Sequence, residues 1–320
     1  MFPPVLSTPP ILAVQRFVRE VWGVYWRLLK LMVPALIVVK GLETLGATAA
    51  LARLLSPLMQ LVGLPDAMGI VWAASLLVNL YTGLVVFFDV LASTPLTVAQ
   101  VTVLGTLMLV AHALPMEAAV ARAAGVSVRA TVLIRVGGAL LLGMLLHASH
   151  QAFGLLEQPL AVAWQPAPGA STLAGWAIEQ VRTLGWVLLI IAALMAVMAL
   201  LRWLHVERLL HWALGPVLRL IGIRHEAANI TIVGVMLGIT LGAGLLLKDV
   251  RAGRLTRRDV FLTMGFLGLF HSAIEDTLLI ALMGADLSGI LWARLVFALV
   301  VIALLARVPA LDRRLAAPLT

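Results

Sequence analysis

The segment His112-Ala-Leu-Pro-Met-Glu117 returns later in the chain as His271-Ser-Ala-Ile-Glu-Asp276, with a histidine and an acid at the same spacing. The two histidines are 159 positions apart, and each acid is followed, eighteen residues later, by Arg135 or Arg294. Other uncommon residues coincide at the same shift without a gap: Pro57 and Pro216, Gly63 and Gly222, Gly83 and Gly242, Thr97 and Thr256, and Gly125 and Gly284. The chain is therefore a tandem duplication, and the coincident residues are the first candidates for shared structure or chemistry.

The composition predicts an all-α membrane protein. Of the 320 residues, 62% are hydrophobic and only 12% are charged, and the mean hydropathy is +1.07. Several apolar stretches have the roughly 20 residues that a helix needs to cross a bilayer. The net charge of +8 does not indicate nucleic-acid binding, because the basic residues lie at the ends of apolar segments, where they orient the protein in the membrane.

Both halves show the same order of segments. We predict a first span, an amphipathic stretch, an interrupted apolar segment and two further spans in each half. In the first half these are 31–50, 51–63, 66–92, 97–114 and 129–149; in the second they are 183–203, 206–222, 225–247, 257–281 and 289–307. The corresponding division of the chain is an N-terminal cytoplasmic segment (1–26), a first repeat (27–150), an extracytoplasmic linker (151–180), a second repeat (181–307) and a cytoplasmic tail (308–320).

The distribution of basic residues predicts the topology. Segment 225–247 is flanked by basic residues at both ends, which favours a re-entrant hairpin over a crossing helix. If 66–92 is also a hairpin, then of the 23 lysines and arginines only Arg53 and Arg182 lie outside, with Lys40, Arg135 and Arg294 within spans. Each half then has three crossings and one hairpin. The odd number of crossings predicts an inverted repeat with about six crossings in all, in the inner membrane and with both termini cytoplasmic.

The interruptions in the two hairpins are candidate substrate-binding elements, because irregular backbone at membrane depth is tolerated only beside protein or a water-filled cavity. The first reads Val78-Asn-Leu-Tyr-Thr-Gly83 and the second Gly238-Ile-Thr-Leu-Gly-Ala-Gly244. Alternatively, the glycines only allow helices to pack closely. The candidate substrate-binding residues are Asn79, Tyr81, Thr82, Gly83, Thr240, Gly242 and Gly244.

A second constellation consists of ionisable residues within spans, which are costly at the bilayer centre and are therefore paired or functional. Its members are His112, Glu117, Arg135, His271, Glu275, Asp276 and Arg294. On a continuous helix His271 and Glu275 share a face, Pro115 breaks the first copy near its histidine, and each arginine lies where it can meet its acid. Three interpretations stay open: a duplicated structural ion pair, a gated site for a proton or cation, and arginines that meet an anionic substrate.

Several functions are not indicated. There is no Gly-x-x-x-x-Gly-Lys-Ser/Thr loop and no Gly-x-Ser-x-Gly elbow, so we predict neither an ATPase nor another enzyme. A cluster of His, Glu and Asp could bind a divalent metal, but the chain has no cysteine and no HExxH spacing, so neither a metal site nor a cofactor is predicted.

The chain resembles the nucleoside-recognition (Gate) domain family of bacterial membrane proteins. The resemblance covers most of residues 27–307 as two Gate units. Its motifs are Asn79 to Gly83, His112 to Gly125, Gly238 to Gly244, Lys248 to Asp259, His271 to Thr277 and Gly284 to Asp286. It implies hairpins and inverted repeats like those of concentrative nucleoside transporters and ferrous-iron permeases.

The expected function is secondary transport of a small solute, coupled to a proton or another cation, through a central site between the hairpin tips. The expected partners are the lipid bilayer, a small-molecule or ion substrate and, as an option left open, further copies of the chain. Two alternatives stand beside transport: a non-transporting membrane scaffold whose polar pairs are structural, and a permease for a divalent metal or another ion.

Overall fold

The computed structural model describes residues 10–162, 172–253 and 255–309, and the regular elements in these ranges are helices. The first half contains α1 (Pro10–Thr44), α2 (Ala47–Leu61), α3 (Met68–Leu77), α4 (Leu80–Leu91), α5 (Val98–Val110), α6 (Leu114–Ala123), α7 (Val128–Val132), a π-helical turn (Leu133–Gly137) and α8 (Gly138–Phe153). The second contains α9 (Leu173–Trp203), α10 (Val206–Leu220), α11 (His225–Leu237), α12 (Ile239–Arg251), α13 (Arg257–Leu269), α14 (Glu275–Ala281), a π-helical turn (Ser288–Ala293) and α15 (Arg294–Leu305).

The helices of the two halves correspond at the shift of 159 positions. On that shift α2 coincides with α10 at both ends, and α5 coincides with α13. Local signals repeat as well. Thr97 and Thr256 each begin a helix with a reciprocal capping box, completed by Gln100 and Asp259. The duplication in the sequence is therefore a duplication of local structure.

Glycines end the amphipathic helices of both halves. Gly63 follows α2 with φ of 71°, and Gly222 follows α10 with φ of 97°. A residue with a side chain rarely adopts this left-handed conformation, which closes the C-terminus of a helix. The coincidence of these two glycines in the sequence thus has a backbone cause.

Contacts between the halves are reciprocal. Helix α5 packs against the second π-helical turn, and α13 packs against the first. Helix α1 packs against its counterpart α9, where the hydroxyl of Tyr25 donates to the carbonyl of Leu184, 159 positions away, at 3.0 Å. Reciprocal contacts of this kind are those of two units related by a two-fold axis. Equivalent elements of the two halves thus contact each other in these places.

The molecule is an all-α polytopic membrane protein. Within the described ranges, five helical segments are long and apolar enough to cross a bilayer: Val14–Thr44, Val98–Ala123, Val128–Phe153, Leu173–Trp203 and Ser288–Leu305. Large apolar side chains cover the outer faces of these segments, as Ile37 (58% exposed), Leu189 (57%) and Val296 (58%) illustrate. The fully buried side chains include two arginines, Arg135 and Arg294. Apolar residues outside and charge within are expected where lipid replaces water as solvent.

Some predicted boundaries differ from the structure. The first predicted span, 31–50, crosses the end of α1, because Gly46 has φ of 70° and separates α1 from α2. The boundary at 26/27 falls inside α1, and residues 173–180 of the predicted linker are the first turns of α9. Residues 156–160 of the linker hydrogen-bond to residues 96–99 and so pack against the start of α5. Residues 1–9 of the predicted N-terminal segment and residues 310–320 of the predicted C-terminal tail lie outside the described residues, whereas residues 10–26 form the first turns of α1.

Candidate functional site

The site begins at two helix breaks that occupy equivalent positions. Helix α5 ends at Val110, and Ala113 adopts a left-handed conformation with φ of 44° before α6 begins. Helix α13 ends at Leu269, and Ser272 has the same φ of 44° before α14 begins. Pro115 lies in the first turn of α6, as predicted, but the second half breaks without a proline. The predicted span 257–281 is consequently not one continuous helix.

Each break is tied to the hairpin of its own half. We call α3 and α4 the first hairpin and α11 and α12 the second hairpin. The amide of Ala113 donates to the carbonyl of Ser75 in the first hairpin at 3.0 Å. The amide of Ala273 donates to the carbonyl of Val235 in the second hairpin at 2.8 Å. Backbone groups freed by the breaks thus find partners inside the protein, as groups at membrane depth must.

The breaks place the imidazole rings of His112 and His271 next to each other. Their ring centroids are 5.1 Å apart with the planes inclined at 47°. Nδ1 of His112 lies 3.0 Å from the carbonyl oxygen of Met108, and Nδ1 of His271 lies 2.6 Å from that of Leu267. A carbonyl oxygen only accepts hydrogen bonds, so each Nδ1 carries the hydrogen and donates it. The Nε2 atoms are therefore the ones directed at the carboxylates.

Two carboxylates complete what we call the axis cluster: His112, His271, Glu117 and Asp276. Oε1 of Glu117 lies 3.3 Å from Nε2 of His112 and 3.4 Å from Nε2 of His271. Oδ2 of Asp276 lies 3.7 Å from Nε2 of His112 and 4.0 Å from Nε2 of His271. All four residues were predicted among the ionisable residues within spans, which we call the polar layer. Their contacts run between the halves, which the spacing in the sequence did not show.

Glu117 also forms an ion pair. Its Oε2 accepts from Nη1 of Arg135, whose Nε donates to the carbonyl of Val110 at 2.9 Å. This pair agrees with the expectation that each arginine meets its acid. Both side chains are almost fully buried, at 0% and 3% exposure, so each charge depends on the other for compensation.

The corresponding expectation for Arg294 and Asp276 is wrong. Nε of Arg294 donates to the carbonyl of Leu269, and Nη2 donates to the carbonyl of His271, both at 2.9 Å. Among the described residues Asp276 forms no ion pair with Arg294. Aspartate is one methylene shorter than the Glu117 of the other half, and its Oδ2 is turned toward the histidines. The layer is therefore symmetric in position and asymmetric in pairing.

Neither arginine uses all its donors. Nη2 of Arg135 and Nη1 of Arg294 are buried and have no hydrogen-bond partner among the described residues. Arg135 lies in the first π-helical turn, and Arg294 directly follows the second, and such turns are frequent at functional sites. One unpartnered guanidinium nitrogen on each arginine, with its two N–H groups, keeps an anionic substrate among the interpretations.

The expected pairing of His271 with Glu275 is absent from the structure. It required a continuous helix, but the chain breaks between Leu269 and Glu275. Glu275 is only half-buried at the start of α14, while His271 faces Glu117 of the other half instead. The structure therefore places Glu275 outside the axis cluster.

The first hairpin interruption lies at Val78 and Asn79. Asn79 caps α4, since its Oδ1 accepts from the amide of Thr82 at 2.9 Å and from the hydroxyl of Thr82 at 3.2 Å. Nδ2 of Asn79 has no hydrogen-bond partner among the described residues. Tyr81 is half-buried in the first turn of α4. This capping explains why the hairpin's second helix begins directly after Asn79, and it leaves the Nδ2 amide N–H groups available.

The candidate glycines differ in role. Gly83 lies inside α4, where a Cβ would come within 2.7 Å of Ser75 Cβ, and Gly242 lies inside α12, where a Cβ would come within 2.9 Å of Gly234 Cα. Both serve close packing within a hairpin, the alternative that the sequence left open. The turn glycine of the second hairpin is Gly238, with φ of 91°. Gly244 is exposed in α12, and the side chain of Thr240 lies outside the described part of the chain.

Some site residues were missed from the sequence. Ser75 is fully buried, accepts from Ala113 through its carbonyl, and has a hydroxyl without a partner among the described residues. In the sequence, Ser75 could have been noticed as a single polar residue within the apolar segment that forms α3. The signal for a metal-ligand grouping was only weak in the sequence, and no motif supported it; in the structure the ligand atoms of His112, Glu117 and His271 lie within 4.8 Å of one another. Linear motifs could not reveal it, because its ligands come from both halves.

Fold and site together describe an all-helical, multi-spanning membrane protein with a buried ionisable cluster where its two halves meet. The chain is similar to a protein called uncharacterized membrane protein YvoD of Bacillus subtilis (strain 168). The two are 26% identical over 281 residues, which cover 84% of this chain and 86% of that protein. No family model matches the chain, and no solved structure matches it.

Proposed function

We propose that this protein is a cation-coupled secondary transporter of a small solute, and that the axis cluster is its cation site. One observation carries the proposal. Nε2 of His112 and Nε2 of His271 flank the same carboxylate oxygen, Oε1 of Glu117, at 3.3 and 3.4 Å. In a neutral histidine whose Nδ1 donates, Nε2 is an acceptor. Acceptors this close repel one another unless a cation lies among them.

The position of the cluster supports an exchange of that cation. It lies between two helix breaks and at the approximate two-fold axis that we propose to relate the two halves. Transporters built from repeats bind substrate and coupling ion where repeats meet, at broken helices. Charged groups within a membrane are costly, so four of them around one point favour a functional role.

The proposal includes the orientation of the halves. We propose that the first and second hairpins are re-entrant from opposite sides, that the two-fold axis lies in the membrane plane, and that both termini are cytoplasmic in a bacterial inner membrane. The basic residues at both ends of the second hairpin support this arrangement. Membership of the Gate family is part of the same proposal. It makes nucleosides the first solutes to test, and Asn79, with its free amide, the first candidate contact.

The experiment uses purified full-length protein in liposomes. Uptake of radiolabelled uridine and adenosine is measured with an imposed proton gradient or Zn²⁺ gradient, and a trapped indicator follows the cation. We expect solute uptake that depends on one of the gradients and falls at least tenfold in both His112→Gln and His271→Gln. His150→Gln is the matched control, because His150 is also buried, at 6% exposure, but lies in α8 outside the cluster.

The rival function is a membrane scaffold whose polar pairs only hold helices together. The Glu117–Arg135 ion pair and the arginine–carbonyl bonds are what that function needs. If folded wild-type protein moves neither solute nor cation, or if the histidine variants retain full flux, the scaffold is favoured and transport through the axis cluster is contradicted.

A further inference from the structure

The axis cluster contains four candidate ligand atoms for a metal ion. They are two imidazole nitrogens and two carboxylate oxygens, contributed as equivalent pairs: His112 with Glu117 from the first half, and His271 with Asp276 from the second. An ion bound by all four would lie at the approximate two-fold axis and would hold the halves together. Such a site exists only when both halves are in contact.

The distances between Glu117 and the two histidines fit a tetrahedral ion. Zinc bonds of about 2.0–2.1 Å give a tetrahedron whose edges are about 3.3–3.4 Å. The two edges from Oε1 of Glu117 to the Nε2 atoms of His112 and His271 measure 3.3 and 3.4 Å. Those from Oδ2 of Asp276 measure 3.7 and 4.0 Å. The ligand atoms of His112, Glu117 and His271 all lie within 4.8 Å of one another, and Asp276 falls outside that group. Asp276 must therefore move closer to Glu117 by more than about 1 Å to become the fourth ligand of a tetrahedral ion.

The groups behind the ligands have the arrangement typical of metal sites. A histidine ligand usually donates its other ring N–H to a backbone carbonyl or carboxylate, which holds the ring in place. Both histidines do so here, to the carbonyls of Met108 and Leu267. The second oxygen of Glu117 is held by Arg135, which leaves Oε1 for the ion.

We propose that His112, Glu117, His271 and Asp276 bind a divalent transition-metal ion of the Zn²⁺ class. Two imidazoles and two carboxylates suit zinc and its first-row neighbours. They do not suit Cu⁺, which prefers sulfur, or Ca²⁺ and Mg²⁺, which take six or more oxygen ligands. The inference names the cation of the transport site and depends on the proposed function for the ion's role, whereas binding itself is independent of transport.

The two buried arginines limit how tightly the ion is held. The charges of Glu117 and Asp276 balance a dication, but Arg135 and Arg294 add positive charge to the same layer, and like charges repel more strongly where the dielectric is low. Arg135 is compensated in part by Glu117. Attraction between the ligands and the ion is therefore opposed by repulsion from the arginines. The resulting moderate affinity suits an ion that is released in each transport cycle.

The test measures metal binding by purified full-length protein in detergent. The protein is stripped with a chelator and equilibrated with Zn²⁺, and bound metal is measured by elemental analysis and by competition with a zinc indicator. We expect about one Zn²⁺ per chain, with affinity lowered about 100-fold or more in His112→Gln and His271→Gln. Both variants keep the Glu117–Arg135 pair, and His150→Gln is the control that should bind like wild type. Co²⁺ in place of Zn²⁺ should give the intense d–d bands of four-coordination.

The outcomes separate this inference from transport. Folded wild-type protein without bound Zn²⁺, or binding that survives both histidine substitutions, overturns the metal site even if solute flux is observed. Binding that requires both histidines upholds the site even if no solute is transported, and in that case only the transport proposal fails. Weak Co²⁺ bands typical of six-coordination would contradict the tetrahedral ligand set.

Discussion

The imidazole rings of His112 and His271 lie 5.1 Å apart, although 159 residues separate them. The two residues occupy equivalent positions in the two halves. Tyr25 and Leu184 form a second such contact, through a hydrogen bond of 3.0 Å. The two contacts mark where the halves join. Because equivalent residues meet there, the histidine and the acid of one half lie beside the histidine and the acid of the other.

The Glu117–Arg135 pair should be essential for stability. Arg135→Met leaves the Glu117 carboxylate buried without its partner, and we expect a loss of about 3–5 kcal/mol. The double variant Arg135→Met, Glu117→Met should recover most of that loss. Unfolding of the purified protein by denaturant in detergent measures both. As a control, Lys40→Met breaks the partly exposed pair with Glu43 and should cost no more than about 1 kcal/mol. A double variant as unstable as the single one would contradict the pairing.

The close packing inside the second hairpin should make Gly242 intolerant of a side chain. A Cβ there would come within 2.9 Å of Gly234 Cα and 3.1 Å of Leu267 Cδ1. Overpacking of this kind typically costs about 1–3 kcal/mol, so Gly242→Ala should lower the denaturation midpoint. Gly244→Ala is the matched control in the same helix, because a Cβ there meets nothing within 4 Å and alanine favours helix. Equal effects of the two substitutions would exclude close packing as the role of Gly242.

Cysteine labelling should show that both hairpins are re-entrant. The chain has no cysteine, so single cysteines at 66, 92, 225 and 248 can be labelled without background. We expect positions 66 and 92 to react from outside and positions 225 and 248 from the cytoplasm, with tip positions 79 and 240 less reactive. Glu157→Cys and Arg129→Cys serve as outer and cytoplasmic references. Reaction of 225 and 248 from opposite sides would rule out the second hairpin and the inverted repeat.

Asn79 should have two separable roles. Asn79→Ala removes the cap on α4 and is expected to cost about 1 kcal/mol. Asn79→Ser keeps a capping oxygen and removes the free Nδ2 amide group, so it should preserve stability. If that amide contacts the solute, uridine uptake in liposomes should fall for the serine variant although its denaturation midpoint is unchanged. Unchanged uptake would assign Asn79 to capping alone.

Much of the fold followed from the sequence because its causes are local. Runs of apolar residues predict membrane helices, and Thr97 and Thr256 begin helices through contacts only three residues away. The expected pairing of His271 with Glu275 was wrong for a local reason too. It assumed a continuous helix, whereas Ser272 adopts a left-handed conformation without a glycine or proline beside it to indicate a break.

By itself, the sequence determined that the chain is a duplicated membrane protein with charged residues at equivalent depths, because composition and spacing are properties of the chain alone. Only the tertiary structure decided which charges meet. Glu117 reaches both Arg135 and the histidines of both halves, while Arg294 turns to backbone carbonyls. Which charged groups pair depends on how the two packed halves approach each other and on the side chain of Asp276, which is one methylene shorter than that of Glu117. The spacing of residues within a single half does not contain that information.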